Sequence, residues 1–228
     1  MMNQDKWTLL QNEMRHQPKY PSDSVVRWVK RNIPAGGVVL DNGCGAGRHL
    51  VFLAREEYVP YGIDYSKSGI DCAWTRMVNE GFEVFANNIV LSSCTELPFA
   101  DAFFDGVISY GVLYYLSIDE INKAIGEIFR VLKRGGKSLL YIRTTEDYRY
   151  NPSESNKDDC FSCIVQEKNI NRSAYKENGM EMRFFNKMQV MRLLCNYHYS
   201  DLEINTERIG YDNDLYADVN FLVSFTKI

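Results

Sequence analysis

Seven residues, Asp41 to Gly47 in the order D-N-G-C-G-A-G, carry the clearest chemical signal in the chain. Glycines at 43, 45 and 47 allow a tight turn and let the backbone approach a ligand with no Cβ in the way. An apolar run, Val38-Val39-Leu40, comes before them, and residues 48–57 read as a helix after them. A strand, a glycine loop and a helix start, in that order, aim free N–H groups into the crevice at the strand ends, as a nucleotide-type cofactor requires. Taken alone, the glycines fit a plain tight turn equally well. Asp64 adds weight, because an acid ending the next predicted strand can accept from ribose hydroxyls, although it could also serve as a helix cap ahead of Ser66. The glycine spacing also discriminates. A dinucleotide fingerprint, G-x-G-x-x-G, needs its third glycine at 48, where this chain has Arg. A pyrophosphate is therefore disfavoured, and a ligand without phosphates fits.

Four side chains are candidates for work on a second substrate: Tyr20, His49, Tyr114 and Tyr115. His49 opens the helix after the loop, where a residue facing solvent or cofactor is the simpler reading. Tyr114 and Tyr115 follow the fourth predicted strand, where pockets of such sheets open, and packing explains them equally well. Tyr20 precedes a helix that could fold over a cofactor. Cysteines at 44, 72, 94, 160, 163 and 195 are scattered in the manner of reduced thiols. The pair Cys160 and Cys163 lacks two further ligands at zinc spacing, so no metal is expected.

These residues need a scaffold, and the hydrophobic pattern supplies one. Helices are predicted at 7–14, 23–32, 48–57, 66–80, 118–132 and 186–196, and strands at 38–41, 59–64, 82–86, 105–110, 137–143, 202–209 and 220–226. The alternation through residue 143 means βαβ units, hence an α/β, doubly wound, mostly parallel sheet. Residues 1–228 read as one domain, with 1–34 as an N-terminal helical cover and 144–182 as an inserted loop or lid, part of it possible disorder. The net charge of −4 argues against a protein held to nucleic acid by phosphate contacts. No run approaches the roughly 18 apolar residues of a membrane span, and no apolar signal core opens the chain, so a cytoplasmic protein is expected.

Four segments occur in order: V-L-D-N-G-C-G-A-G-R-H, Y-G-I-D-Y-S, T-E-L-P-F-A-D-A-F-F-D-G-V-I-S and F-R-V-L-K-R-G-G-K. Together they resemble the class I S-adenosylmethionine-dependent methyltransferases, over roughly residues 23–143. The resemblance implies a Rossmann-like sheet of seven strands, the last antiparallel. It implies that Asp41, Gly43, Cys44 and Gly45 surround the methionine moiety, that Asp64 holds the ribose and that Tyr65 lies beside the adenine. Thr95 and Glu96 would lie at the adenine edge, and Ser109 and Tyr110 would line the cleft. Asn42 stands where a hydrophobic residue is common, and Ser92-Ser93-Cys94 lacks the aspartate that many members aim at the adenine amino group; Ser93 could accept there instead. The function implied is methyl transfer to an oxygen or nitrogen, leaving S-adenosylhomocysteine. With the acidic balance, the acceptor expected is a small molecule. Two other readings compete: a nicotinamide-dinucleotide oxidoreductase, and a non-catalytic module that binds the same cofactor for regulation.

Overall fold

The structure is a computed structural model that describes residues 17–156 and 161–228. The helix predicted at 7–14 and Cys160 lie outside these residues. Nine strands and five α-helices follow in chain order among the described residues. They are α1 (Asp23–Asn32), β1 (Val38–Asn42), α2 (Arg48–Arg55), β2 (Val59–Asp64), α3 (Lys67–Asn79), β3 (Ile89–Leu91), β4 (Phe104–Tyr110), α4 (Ile118–Val131), β5 (Leu132–Arg143), β6 (Cys163–Ile164), β7 (Glu181–Met182), α5 (Lys187–Leu194), β8 (Tyr199–Tyr211) and β9 (Tyr216–Lys227).

Seven strands form one sheet in the order β3-β2-β1-β4-β5-β9-β8. The pairs among β1 to β5 are parallel, and β9 runs antiparallel to both its neighbours. From β1 the chain winds outward through β2 and β3, then returns to start the other half at β4. The strand order thus reverses between β1 and β4, and a crevice opens at their carboxyl ends. The strands are apolar on both faces because helices cover both. Leu40, Phe104 and Val107 pack against Ile121, Ile125 and Ile128 of α4, and Val39 and Ile108 against Val25 and Val29 of α1. The Trp28 indole N–H reaches Ser224 Oγ at 2.8 Å and ties α1 to β9.

Four strands depart from the pattern. The third strand is β3, at Ile89–Leu91, and residues 83–88 form a 3-10 turn instead. The alternation of Phe82, Val84 and Ala86 imitates a strand, but Phe82 N–H still bonds Met77 O of α3 and Val84 is 74% exposed. The chain there has just left the helix, and Ile89 is the first residue to pair with β2. β5 begins five residues before the expected start, with Gly135 at φ +76° inside a bulge that sits opposite Asp105. β8 and β9 are also longer than their apolar cores, because Asp212, Asn213 and Asp214, all at positive φ, close them into a hairpin.

The described residues of 144–182 form a packed unit. β6 pairs with β7, and Val165, Ala174, Met180 and Met182 are buried. The T-E-L-P-F segment is likewise fixed from below. Arg130 of α4 donates to the carbonyls of Leu97 and Phe99, and Glu127 accepts from Leu97 N–H at 2.6 Å. Two of the recognised segments are therefore halves of one joint.

Candidate active site

A cavity of about 280 Å³ opens at the carboxyl ends of β1, β2 and β4. The glycine loop forms its floor. Gly43, Gly45 and Gly47 all have positive φ. A Cβ on Gly43 would sit 2.2 Å from Val112 Cγ2, and one on Gly47 would sit 3.0 Å from Ala73 Cβ of α3. The close helix packing that a dinucleotide fold assigns to position 48 is thus made here at 47.

Three sets of bonds hold the loop in place. Gly43 and Cys44 N–H both donate to Ile63 O, at 2.9 and 2.8 Å. Asp64 accepts from Gly45 N–H with one oxygen and from Ser66 N–H with the other, both at 2.8 Å. Ser66 then caps α3 through Gly69 N–H. Asp64 therefore spans the loop and the start of the next helix, and it still faces the cavity. Burial raises its carboxyl above the ordinary range, against the two N–H bonds that pull it down.

Behind the floor the polar accounting is incomplete. Asp41 is 1% exposed, and among the described residues neither of its oxygens accepts a hydrogen bond. Asn42 beside it and Ser109 at the end of β4 are buried with unpartnered side-chain atoms as well. Buried polar groups are nearly always bonded, so three at adjacent strand ends mark a place built for a further partner. His49 Nδ1 lies 3.4 Å from Asp41, and its Nε2 takes the Ser22 N–H at 3.4 Å. The ring is 3% exposed, so His49 is a buried link between β1 and the segment before α1, not a solvent-facing helix start. It also lines the cavity.

One wall is aromatic. Tyr110 stacks on Tyr141 at 4.0 Å, and the Arg48 guanidinium stands 5.3 Å from the Tyr110 centroid. Tyr114 and Tyr115 continue that wall. The Tyr115 hydroxyl donates to Glu177 at 2.8 Å, and the Arg143 guanidinium lies 4.8 Å from the Tyr114 centroid. Burial pushes both phenols above their ordinary range, so each stays protonated at neutral pH. Glu177 belongs to a buried network, with Arg149 donating to Glu177, Asp147, Asp218 and Ser173. Burial works to raise the Glu177 carboxyl, but Arg143 and Arg149 overcome it and hold it below the usual range. In this way residues 144–182 brace the aromatic wall.

At the opposite end, Tyr65, Ser92, Ser93 and Cys94 line the cavity. Cys94 is a neutral thiol, pushed up to about 12 by burial, and burial raises Cys44 too. Asp41, Ser109, Thr95 and Glu96 do not reach the cavity surface. Thr95 bonds Ser93 at 2.8 Å in the turn below, and Leu97 and Phe99 belong to the core. Tyr20 is 75% exposed and off the lining, where Pro18 takes its place. Arg48 is the lining residue that sequence reasoning passed over, having treated it as the residue that breaks a glycine pattern. Glu177 was hidden inside a polar stretch with no periodicity, and Arg143 was read only as the end of the strand at 137–143. Among the described residues no three metal-ligating side chains cluster, and no helix is long and apolar enough to cross a membrane.

Residues 40–140 match the methyltransferase-domain family. A tRNA (carboxymethyluridine(34)-5-O)-methyltransferase of Xenopus tropicalis is 31% identical over 54% of this chain and 18% of its own length. The enzyme of the same name from Arabidopsis thaliana is 29% identical over 57% of this chain and 31% of its own. The chain thus spans less than a third of either relative. Among solved structures, a S-adenosylmethionine-dependent methyltransferase of Methanosarcina mazei superposes with a TM-score of 0.70 over 92% of this chain and 99% of its own, at 18% identity. The tRNA names of the relatives run against the expectation that nucleic acid is an unlikely partner. That expectation rested on net charge, which sums over the whole surface and does not describe one cleft. Residues 40–140 thus carry the methyltransferase-domain match, and the chain as a whole has the fold of a S-adenosylmethionine-dependent methyltransferase.

Proposed function

We propose that the cavity holds S-adenosylmethionine, with its adenosine between Tyr65 and Ser93 and its methionine end over Gly43 and Gly45, and that the methyl acceptor is a nucleoside of tRNA. Asp41 does not reach the cavity surface, but its buried carboxylate directly behind Gly43 favours a positively charged ammonium over the loop. The oxygens of Asp64 keep lone pairs for ribose hydroxyls beyond the two N–H bonds they accept. The cofactor brings an activated methyl group and its own leaving group. The protein's task is then mainly alignment. Tyr110, Tyr114 and Tyr115, braced by residues 144–182 as a fixed wall of the same domain, set the line along which the acceptor approaches. His49 lines the cavity from its place between Asp41 and Ser22, and the tyrosines remain protonated and serve as walls.

One observation carries the choice of acceptor: relatives about 30% identical across this stretch are tRNA methyltransferases. The test is to incubate the protein with methyl-labelled cofactor and total tRNA, digest the RNA to nucleosides and separate them. Label in one nucleoside is expected. A protein that binds S-adenosylhomocysteine but labels no tRNA from any source would overturn the acceptor, and failure to bind S-adenosylhomocysteine would overturn the placement of the cofactor.

A further inference from the structure

Most charges around the cavity are already committed. Asp64 accepts from Gly45 and Ser66. Glu120 closes the capping box of α4, accepting from Ser117 N–H and Oγ at 2.8 Å. His49 bridges Asp41 and Ser22. The cations nearby along α2 and α3 are occupied too: Arg55 pairs with Glu80, Lys67 with Asp71, and Arg76 donates to Pro18 O.

Arg48 is different. It is half-buried and lines the cavity, and among the described residues no acid or carbonyl accepts from its guanidinium. Its one contact of note is with the face of Tyr110, which is itself fixed by stacking on Tyr141. The side chain is therefore aimed by an aromatic plane, and its N–H edge is left for something else. A guanidinium presents paired N–H groups that match the two oxygens of a carboxylate, and its loose hydration lets it do so in a partly closed pocket. The stack orients the plane but satisfies none of its five N–H donors.

We propose that Arg48, held on Tyr110, is a carboxylate-binding subsite of this cavity. The inference rests on the cofactor placement given above. Two ligands could present the carboxylate at this end: the methionine end of the cofactor, or an acidic side group on the acceptor base. The chemistry is the same, and ligand pairs separate the sources.

The first arm titrates S-adenosylhomocysteine and 5′-methylthioadenosine, which lacks the amino-acid end, into the wild type and Arg48→Met. The second arm titrates 5-carboxymethyluridine and its amide into each protein saturated with S-adenosylhomocysteine. If the cofactor supplies the carboxylate, Arg48→Met weakens S-adenosylhomocysteine at least tenfold and leaves 5′-methylthioadenosine unchanged. If the acceptor supplies it, S-adenosylhomocysteine is unchanged, and the preference of the wild type for 5-carboxymethyluridine over its amide disappears in the variant. Should Arg48→Met fail to fold, the wild type alone decides, by its affinity for S-adenosylhomocysteine against the carboxyl amide of that ligand and for the nucleoside pair. Equal affinity within both pairs overturns the subsite. Failure of the wild type to bind S-adenosylhomocysteine at all overturns the cofactor placement instead.

Discussion

Replacing Asp64 with alanine removes one side chain from two structures at once. The carboxylate accepts from Gly45 N–H in the glycine loop and from Ser66 N–H at the start of α3, each at 2.8 Å, and is 8% exposed. Without it both N–H groups lose their acceptor in a nearly closed space, at about 1–3 kcal/mol each. Part of that is offset, because burial already disfavours the ionised carboxylate and raises its pKa. The net loss in the unliganded protein comes to about 2–4 kcal/mol, a fall in melting temperature of roughly 5–15 °C for a chain of this size. Loss of the ribose acceptor should weaken S-adenosylhomocysteine at least tenfold, on the scale of about 1.5–3 kcal/mol for a hydrogen bond to a charged group. Calorimetric melting of the free protein reads the first effect and isothermal titration the second. An unchanged melting temperature would refute the tether, and an unchanged dissociation constant would refute the ribose role. The pH dependence gives a further check. With a raised native pKa, the fold takes up this proton before the unfolded chain does. The group's contribution to stability is then complete below the ordinary 3.8 and is lost as pH rises through the raised value. Ligand affinity should fall as pH drops through that same raised value, and Asp64→Asn should flatten both trends.

Three further changes probe the surroundings. Gly43→Ala puts a Cβ 2.2 Å from Val112 Cγ2 at φ +87°, so S-adenosylhomocysteine binding should fall at least tenfold by titration while far-ultraviolet circular dichroism still reports the sheet. Arg149→Met strands Asp147, Glu177 and Asp218 without their shared cation, and urea unfolding should show a loss of about 3–5 kcal/mol. The carboxyl of Glu177 is held low, so its stabilisation is present above the ordinary 4.5 and lost as pH falls through the depressed value; Glu177→Gln should remove that acid-side slope from the unfolding profile. Asp41→Asn exchanges a buried acid with no hydrogen bond for a neutral amide, so the free protein should melt no lower than wild type while its affinity for S-adenosylhomocysteine drops.

The half of the fold up to Arg143 was legible because each of its elements repeats one local rule. An apolar run makes a strand buried on both faces, and a 3.6-residue apolar period makes the helix that covers it. The reading failed at residues 82–86, where an alternating pattern lies too close to the end of α3 to reach the sheet. It gave no elements for 144–182, read as an inserted loop or lid, because that stretch is held by ion pairs and by two-residue strands, neither of which leaves a period in sequence. The glycine loop and Asp64 were legible as a site because their chemistry sits within one strand-turn-helix. The T-E-L-P-F segment was taken for a ligand wall, whereas its carbonyls are held by Arg130. Arg48 escaped notice because its importance lies in an acid that is not there, and sequence does not list missing partners. The expectation that nucleic acid is an unlikely partner failed for a comparable reason, since total charge averages over the whole surface.

The polar unit that follows β5 leaves the sheet and returns to it at almost the same point. Thr144 bridges Phe185, Phe185 N–H donates to Arg143 O at 2.9 Å, and Thr145 N–H donates to Phe185 O at 3.2 Å. Its two ends are thus fastened to each other and to the edge of β5, so the rest of the sheet does not register how much chain lies between them. The entropy of closing such a loop grows only with the logarithm of its length, and doubling it costs about 0.6 kcal/mol. The fold can therefore exchange this unit for one of another size or shape while the cofactor floor stays as it is. The unit is a graft fitted at one permanent socket.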